Sequence, residues 1–416
     1  MDLTAIIRAN RDGGPAVPSV CSAHGDVLTA ALMLAESLDR PLLIEATSNQ
    51  VNHRGGYTGM RPSDFVADVR RRADAAGCGM DRVIFGGDHL GPQAWKAQPP
   101  KAAMDEARAM IAAYVEAGFT KIHIDCAEGC AGEPDHLTDG PAAARAVELA
   151  RVAEKAAREP LSYVVGTEVP PPGGARGEEE AAAPTAPERA EATLAAHEAA
   201  FRAHGLPWDR VRGLVLQPGL EFGPTRIDHL DLAAPDRLSP LLDDRPGFCF
   251  EAHSTDYQRP EAYAELARRR FAILKVGPAL TFAWREALYA LSHVVGWTAG
   301  GPHVSAAMEG IMLADPGAWR GHYAGSEDRQ RVLRHFGYAD RIRYYWAGPK
   351  AMEAVRRVVD AFDAANPPRP LLAQYLPAAT LDRAEALELP PAKAILIAHV
   401  QEALAPYFAT GANASC

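Results

Sequence analysis

The sequence predicts an α/β fold that closes into a barrel, and three observations lead to this prediction. Eight short apolar segments follow one another along the chain, most of them separated by stretches with helical periodicity. Nearly every segment ends in an ionisable or polar side chain, as expected where the carboxyl ends of parallel strands share one rim. No Gly-x-Gly-x-x-Gly follows the first strand and no P-loop occurs, which disfavours the alternative of a doubly wound sheet. We therefore expect a (β/α)8, or TIM, barrel with a helical C-terminal extension.

The predicted strands are short runs rich in β-branched and aliphatic residues. They are Ser19–His24, Pro41–Thr47, Arg82–Phe85, Lys121–Asp125, Ser162–Glu168, Val211–Gln217, Gly247–His253 and Phe271–Val276. After Pro278 the pattern becomes helical, with predicted helices at Phe282–Val294, Ala306–Leu313, Ala347–Ala364 and Pro390–Pro406. We predict two units, a barrel that carries the site in residues 1–280 and a helical extension in residues 281–416.

Composition and charge restrict the class of protein. The 416 residues are 48% hydrophobic and 23% charged, which is ordinary for a globular enzyme. A net charge of −10 gives no general attraction to nucleic acid or acidic lipid. The first residues lack the pattern of a signal peptide, no apolar run approaches membrane-spanning length, and the six cysteines suit reduced thiols. We expect a cytoplasmic protein that binds neither nucleic acid nor membranes.

The stretch from Gly86 to Pro92 follows the third predicted strand. We expect its first two glycines to let the backbone turn sharply as the strand ends. Asp88 and His89 are adjacent and point in different directions, so that one can hold a metal or substrate oxygen while the other moves a proton. The alternative is a polar turn in which the aspartate caps the next helix.

Ionisable and polar side chains end most of the other strands as well. Clustered carboxylates cost stability through desolvation and repulsion, and a bound divalent cation would relieve that cost. Two imidazoles with a carboxylate form a normal zinc or manganese site, although a metal-free polar rim is the alternative. The rim residues are His24, Glu45, Asp88, His89, Asp125, Glu168, Gln217, Glu251, His253 and Lys275.

Within this rim we assign His89, Glu168 and His253 as metal ligands. Each has a structural alternative, such as an ion pair between Glu168 and Lys275 or a turn capped by His253. Acids near Lys275 would raise its pKa, which favours a charged anchor over a Schiff-base amine. We interpret His123, inside the fourth strand, as a structural or packing residue.

Two segments outside the strands carry candidate substrate contacts. Arg341 and Arg343 lie in a segment dense in aromatic residues, where they either bind a phosphate bidentately or pack against the rings. The loop 48–59 is polar and contains three glycines, which suits either a lid or a rigid Ω-loop packed by Val51 and Tyr57. If it is a lid, we expect Asn49 to hydrogen-bond the substrate.

Seven blocks stand in order along the chain, and they are Leu43–Asn52, Gly55–Met60, Gly86–Pro92, Gly166–Pro170, Glu251–Tyr257, Leu274–Phe282 and Asp340–Trp346. Together they resemble the Z-type, non-catalytic subunit family of class II D-tagatose-1,6-bisphosphate aldolase, and the likeness spans nearly the whole chain. Members are understood as barrels that support a separate catalytic aldolase subunit, and some relatives epimerise ketoses or ketose phosphates at C4.

A more distant likeness links the chain to catalytic class II aldolases. Asp88 and His89 match their acid/base aspartate and metal-binding histidine, and His253 and Glu168 resemble further site residues. Their histidine after strand six is replaced here by Gln217, which puts ordinary bisphosphate cleavage in doubt. The resemblance implies a divalent metal, zinc first, with manganese or cobalt as alternatives.

These inferences lead to two hypotheses on function. The first is a metal-dependent ketose or ketose-phosphate 4-epimerase that works by retro-aldol cleavage and re-addition, with Asp88 or Glu251 moving the C4 hydroxyl proton. The second is a catalytically silent accessory subunit of a class II tagatose-bisphosphate aldolase. In either case we expect a homo-oligomer in carbohydrate metabolism. The residues predicted to contact the sugar are Glu45, Asn49, Asp125, Gln217, Lys275, Arg341 and Arg343.

Overall fold

Eight parallel strands close into a barrel in the computed structural model, which describes residues 2–167, 182–300 and 303–411. Around the barrel the order is β1, β2, β3, β4, β5, β6, β9 and β10, while β7 and β8 form a separate antiparallel hairpin. The predicted (β/α)8 barrel is confirmed. The strands are β1 Val17–Cys21, β2 Leu42–Thr47, β3 Val83–Leu90, β4 Lys121–Ile124, β5 Ser162–Val165, β6 Val211–Leu216, β7 Glu221–Phe222, β8 Ile227–Asp228, β9 Cys249–Ala252 and β10 Phe271–Val276.

Helices surround the barrel and continue beyond its last strand. Among the described residues, no helix combines the length and the apolar character needed to cross a membrane. The helices are α1 Leu3–Arg11, α2 Gly25–Ser37, α3 Pro62–Ala75, α4 Pro100–Glu116, α5 Asp139–Ala156, α6 Pro187–Ala203, α7 Pro260–Arg268, α8 Pro278–Thr298, α9 Val304–Ala314, α10 Glu327–Phe336, α11 Pro349–Ala365, α12 Arg369–Leu372, α13 Ala378–Glu385 and α14 Pro391–Phe408.

Helix α1 packs against the barrel interior and is an element that the sequence analysis did not predict. Asp2 caps its N-terminus by accepting a hydrogen bond from the Thr4 N–H at 3.1 Å. The helix buries an apolar face against inward side chains of the strands, so that it plugs the amino-terminal end of the barrel. The plug cluster consists of Leu3, Ile6, Ile7, Val17, Leu43, Ile84, Val164, Val215, Cys249, Ala272 and Ile273.

Strand β3 is longer than predicted, and this corrects the interpretation of its two glycines. Gly86 and Gly87 do not turn the chain but continue the ladder with β2, in which Asp88 pairs with Thr47. A Cβ atom on Gly86 would lie 2.8 Å from the Glu45 carboxylate. The missing side chain therefore gives space to a charged residue inside the barrel.

The C-terminal helices pack on the barrel through α8 and α14, and both of these contact α2. The Trp284 indole N–H donates to the Asp26 carboxylate at 2.9 Å, and Lys393 forms an ion pair with the same group. The Tyr407 hydroxyl donates to the Thr255 carbonyl at 2.9 Å, close to the carboxyl end of β9. The helical C-terminal part is thus confirmed, whereas its division from the barrel at residue 280 stays a prediction, and α8 runs across that position.

Candidate active site

Charged side chains enter the barrel from inward-facing strand positions above the apolar plug. Alternation along a strand places every second side chain on the inner face. In β2 the plug residue Leu43 is followed two positions later by Glu45, and in β10 Ile273 is followed by Lys275. The same step leads in β9 from Cys249 to Glu251. The barrel interior thus changes from apolar to ionic over two residues of each of these strands.

Two buried lysines hold three buried carboxylates at this level. Lys121, which is completely buried, contacts Glu45 Oε1 at 2.6 Å and Glu251 Oε2 at 2.7 Å. Lys275 contacts Glu45 Oε2 at 2.7 Å and Glu251 Oε1 at 3.2 Å, and it also pairs with Asp88. Because buried charges are costly unless they are paired, these contacts explain how the cluster is tolerated.

The ion pairs keep Asp88, Glu251 and Lys275 in their charged forms. Burial alone would raise the pKa of Asp88, but His89 and Lys275 outweigh burial and hold that pKa well below its usual range. Burial also opposes ionisation of Glu251, whose pKa is nevertheless held well below normal by Lys121 and Lys275. Burial would lower the pKa of Lys275, yet the three acids raise it well above its ordinary value. Lys275 is therefore a charged anchor, because its amine is not free to act as a nucleophile.

Three imidazoles meet beside this network. The ring centroids of His89, His123 and His253 lie 5.0 to 5.1 Å apart. His89 Nδ1 lies 2.7 Å from Asp125 Oδ2, and His253 Nε2 lies 2.9 Å from Glu251 Oε1. The carboxylates thereby orient two of the three rings.

His123, for which the sequence indicates a structural or packing role, takes part in this polar cluster. Its Nδ1 lies 3.1 Å from both Asp88 Oδ1 and the His89 backbone nitrogen, and the tautomer in which Nδ1–H donates to the ionised Asp88 leaves the lone pair on Nε2. Its Nε2 is buried and has no hydrogen-bond partner among the described residues. Lys121 and His123 in β4 and Asp125 directly after it occupy every second position, and this spacing is the signal that could have found both Lys121 and His123.

The imidazoles differ in their proton affinity. Burial, followed by the charge of Lys275, lowers the pKa of His253 to about 3, and burial likewise lowers the pKa of His123. Burial opposes protonation of His89 too, but Asp88 and Asp125 raise its pKa above the ordinary value. His123 and His253 are therefore neutral at physiological pH, which is the form that binds metal ions.

The side chains present fit a divalent metal ion. Asp88, His123, Glu251 and His253 each offer one ligand atom, and these four atoms lie within 4.8 Å of one another. His123 Nε2, which no described residue hydrogen-bonds, is a second indication of a bound ion, because a buried ring nitrogen without a partner is costly. Nitrogen and carboxylate donors together suit a transition metal. Of the predicted ligands, Glu168 lies outside the described residues.

A bent backbone places His89 at the end of β3. Its φ of 48° lies in the left-handed region that residues with side chains rarely adopt, and such strain is concentrated at functional sites. Two residues later Gly91 is required for space, since a Cβ there would lie 1.6 Å from the Asp125 carbonyl oxygen. Gly91, which directly precedes Pro92, thus permits β3 and the segment after β4 to approach closely.

A pocket opens at the carboxyl ends of the strands and is lined by three groups of residues. The strand ends contribute Asp88, His89, His253 and Lys275, the loop after β2 contributes Asn49, and the helical part contributes Arg343. Glu45 and Glu251 are fully buried and are not among the described residues of its lining. The other lining residues are Cys21, Thr47, Gln50, Tyr57, Phe222, Ser254, Asp256, Val276, Gly277, Pro278 and Tyr344.

Gln217, Arg341 and Asp125 are predicted substrate contacts that bond to other protein groups and are not among the described residues that line the pocket. Gln217 accepts the backbone N–H groups of Gly219 and Leu220, and Arg341 donates to the Ala318 carbonyl at 2.6 Å. Neither side chain is among the described residues that line the pocket. Asp125 is occupied by His89 and by the Ala127 N–H at 3.1 Å. Their predicted substrate contacts stay predictions.

The loop 48–59 is tied internally. Asn52 donates to the Ser48 carbonyl at 2.9 Å and accepts the backbone N–H groups of Arg54 and Gly56. Val51 is completely buried. Tyr57 packs edge-on against Tyr344, with ring centroids 4.7 Å apart. These are the contacts expected of a rigid Ω-loop, and the half-buried Asn49 faces the pocket from this loop.

Asp256 occupies the N-terminus of α8, a position where barrels often bind phosphate. Its Oδ1 accepts the N–H groups of Gly277 at 3.0 Å and Ala279 at 2.8 Å. Burial raises the pKa of Asp256 to about 6 even though these hydrogen bonds favour the ionised form. These two N–H groups are therefore satisfied by the protein itself.

The fold and the pocket define a class, a (β/α)8-barrel protein with a buried, metal-competent site at the carboxyl ends of its strands. Residues 3–412 match the family model described as D-tagatose-1,6-bisphosphate aldolase subunit GatZ/KbaZ-like. The chain belongs to this family, as its motifs indicated, and is therefore a protein of carbohydrate metabolism.

Three known proteins illustrate the relationship. The D-tagatose 6-phosphate 4-epimerase of Agrobacterium fabrum is 48% identical over 98% of each chain. A probable tagatose 6 phosphate kinase from Sinorhizobium meliloti 1021 has a crystal structure that is 45% identical, with a TM-score of 0.87 over 95% of this chain and 100% of that one. The fructuronate-tagaturonate epimerase UxaE of Cohnella laeviribosi shares the fold, with 12% identity and a TM-score of 0.54 over 95% of this chain and 81% of that one.

Proposed function

We propose that this protein is a metal-dependent ketose-phosphate 4-epimerase that interconverts D-tagatose 6-phosphate and D-fructose 6-phosphate. The observation that carries the proposal is the pocket in which an ionised Asp88 lies beside neutral imidazoles suited to a divalent cation. The name of the Agrobacterium relative, which is similar over nearly its whole length, supports this choice of substrate.

Inversion at C4 of a ketose needs no oxidant if the C3–C4 bond breaks and re-forms. Loss of the C4 hydroxyl proton releases an aldehyde, rotation of that aldehyde presents its other face, and re-addition inverts the centre. A divalent metal, when bound, supplies Lewis-acid stabilisation of the negative charge that develops on the ketose oxygens. His123 and His253 would hold it, with Glu251 as the neighbouring carboxylate. The predicted ligands His89 and Glu168 remain candidates for the same site.

Asp88 is better placed than Glu251 to move the C4 proton. Asp88 lines the pocket and is ionised, so it can accept a proton from a substrate hydroxyl. Glu251 is fully buried and is held by Lys121 and Lys275. Lys275 also pairs with Asp88, and this contact keeps the base oriented until substrate arrives.

Zinc is the metal that this donor set suits best, because imidazole nitrogens combined with carboxylate oxygens are common zinc ligands. Manganese and cobalt are the alternatives. Elemental analysis of protein purified without added metal identifies the ion. We expect about one equivalent in the wild type and a loss in His253→Ala and His123→Ala, and a metal-free protein that is fully active would refute the metal-dependent reaction.

The direct test of the proposed function is conversion of D-tagatose 6-phosphate, followed by NMR of the sugar products. We expect fructose 6-phosphate to form, the reaction to stop with a chelator, and Asp88→Asn to lower kcat by about 10²–10⁴-fold. Asp360→Asn, on the exposed face of α11, is the matched control and should retain full activity. Failure of metal-loaded wild type to convert either epimer would overturn the proposal.

The family description favours a second candidate, an accessory subunit of a class II tagatose-bisphosphate aldolase. This function predicts that the purified chain co-elutes with a catalytic aldolase subunit and raises its activity. An Asp88→Asn variant that stimulates the aldolase as well as the wild type does would show that the accessory function is independent of the pocket.

A further inference from the structure

Epimerisation at C4 requires a second proton-transfer group in the same pocket. After the aldehyde rotates, its oxygen points away from the carboxylate that accepted the first proton. We propose that the phenol of Tyr344 is this second group and donates a proton to the C4 oxygen when the bond re-forms on the opposite face. This inference rests on the proposed 4-epimerase function.

Tyr344 reaches the pocket from a different part of the chain than Asp88, which lies on β3. Tyr344 belongs to a short 3-10 helix, Arg341–Tyr345, in the helical C-terminal part, yet it lines the same pocket as Asp88 and His89. The residue before this helix, Asp340, accepts hydrogen bonds from Thr281 Oγ1 at 2.6 Å and Arg285 Nε at 3.2 Å. Both partners lie on α8, so the phenol is anchored to the helix that directly follows β10.

Two arginines donate hydrogen bonds to the hydroxyl oxygen of Tyr344. Arg341 Nη1 donates to its oxygen at 3.3 Å, and Arg343 Nη2 donates at 3.1 Å. A phenol oxygen accepts through two lone pairs, and here both are used. Among the described residues none accepts the hydroxyl proton in return. That proton is therefore available to a ligand in the pocket.

The guanidinium groups also make the phenol more acidic. Burial alone would raise the pKa of Tyr344, but the charges of Arg343 and Arg341 outweigh burial and lower it from the ordinary value. The charged and titratable groups that face this phenol are Arg341, Arg343 and Tyr57. Tyr57, whose pKa is raised chiefly by burial, stays neutral. A more acidic phenol is a better proton donor to a developing alkoxide.

The proposed step conserves protons and electrons. Asp88 takes the C4 hydroxyl proton as the C3–C4 electron pair moves to C3, and an aldehyde forms. After rotation, the pair at C3 attacks the other face of C4 while the Tyr344 proton moves to the new C4 oxygen. Solvent then carries the proton from Asp88 to the Tyr344 phenolate, which restores the site, and the reverse reaction uses the two groups in exchanged roles.

The kinetic test compares Tyr344→Phe with Tyr345→Phe in metal-loaded, full-length protein. Tyr345 is the matched control, because it lies in the same 3-10 helix but donates to the Asp315 carbonyl at 2.5 Å. We expect Tyr344→Phe to lower kcat by about 10²–10³-fold with KM within about threefold of wild type. Tyr345→Phe should retain wild-type kcat. A kcat for Tyr344→Phe within threefold of wild type would overturn the inference.

An increased KM at unchanged kcat in Tyr344→Phe would also overturn it, since that result assigns the hydroxyl to substrate binding alone. The pH profile gives a further readout that a purely structural tyrosine would not change. We expect the kcat profile of the wild type to bend at alkaline pH where Tyr344 ionises, and this bend to vanish in Tyr344→Phe.

A spectroscopic titration keeps the inference testable even if the activity proposal fails. Tyrosinate absorbance of the folded wild type should show one phenol that ionises below the others and is missing in Tyr344→Phe. Replacement of one hydrogen-bond donor, in Arg341→Met, should raise the pKa of that phenol. If the wild type is inactive but this acidic phenol is present, the proposed function fails together with the proton transfer assigned to Tyr344, while the acidification of the phenol by the two arginines stands. If the wild type is active without such a phenol, the role of Tyr344 fails alone.

Discussion

The two ends of the barrel are built from the same strands but are stabilised by different physics. At the amino-terminal end, α1 closes the barrel with a plug of apolar side chains such as Ile7 and Leu43. At the carboxyl-terminal end, ion pairs and imidazoles fill the same interior, with Lys121 between Glu45 and Glu251. One end therefore depends on the hydrophobic effect, and the other depends on charge balance.

This difference shows where the protein accepts a cost in stability. A buried ion pair seldom adds net stability over an apolar pair, because desolvation offsets the attraction. The apolar end can offset that cost, since burial of each large aliphatic side chain contributes about 1.5–3 kcal/mol. At the charged end, the barrel thus carries side chains that serve the site in place of apolar side chains that would stabilise the fold more.

The largest expected effect is on stability, from Lys121→Met at the charged end. Removal of this amine leaves Lys275 as the one cation against the buried Glu45, Glu251 and Asp88 in this network, which should cost about 3–5 kcal/mol in chelator-treated protein. Urea unfolding measures the loss, and the exposed Lys101→Met is the control, with an expected change within about 0.5 kcal/mol. The double variant Lys121→Met, Glu251→Gln should be more stable than the single one. If it is not, charge balance is not what holds this end together.

At the apolar end, Ile7→Ala should cost about 2–5 kcal/mol, because it leaves a cavity in the plug. The expected kcat per folded molecule is that of the wild type, since the plug lies at the opposite end from the pocket. Urea unfolding combined with steady-state kinetics on the folded fraction checks both statements. A fall in kcat that parallels the loss of stability would show that the plug and the pocket are not independent of each other.

A smaller, pH-dependent effect is expected for Asp256→Asn. The folded pKa of Asp256, about 6, lies above its unfolded value near 4, so the carboxyl stabilises the fold fully below pH 4 and less as the pH rises to 6. Asparagine retains an oxygen that can accept the Gly277 and Ala279 N–H groups. The stability of the variant relative to wild type should therefore increase by about 2 kcal/mol between pH 4 and pH 7. If the stability difference between variant and wild type does not change across this pH range, burial does not raise the pKa of Asp256.

The smallest effect concerns substrate affinity. Asn49 faces the pocket from a loop that is held by its own hydrogen bonds, so Asn49→Ala should leave the fold unchanged. Loss of one hydrogen bond to a sugar hydroxyl should raise KM by roughly 3–10-fold. Kinetics with D-tagatose 6-phosphate test this, and an unchanged KM would remove Asn49 from the substrate contacts.

Much of the fold was readable from the sequence because barrel strands are short, apolar and end in polar residues. The predicted last strand, Phe271–Val276, coincides with β10. The error at β3 arose from local reasoning: two glycines usually indicate a turn, whereas here they clear space for Glu45, a residue some forty positions earlier. Helix α1 was missed because its role is to fill an end of the barrel that exists only after closure.

By itself the sequence determined the family, the barrel, and which strand ends deliver Asp88, His89, His253 and Lys275 to one pocket. Only the tertiary structure decided how deep each charge lies and which groups pair, because depth and pairing depend on the register between strands far apart in the chain. It brought His123 and Lys121 into the site. It also placed Tyr344 against the pocket from a helical part with no strand periodicity, since packing of that part on the barrel is a long-range effect that local patterns do not encode.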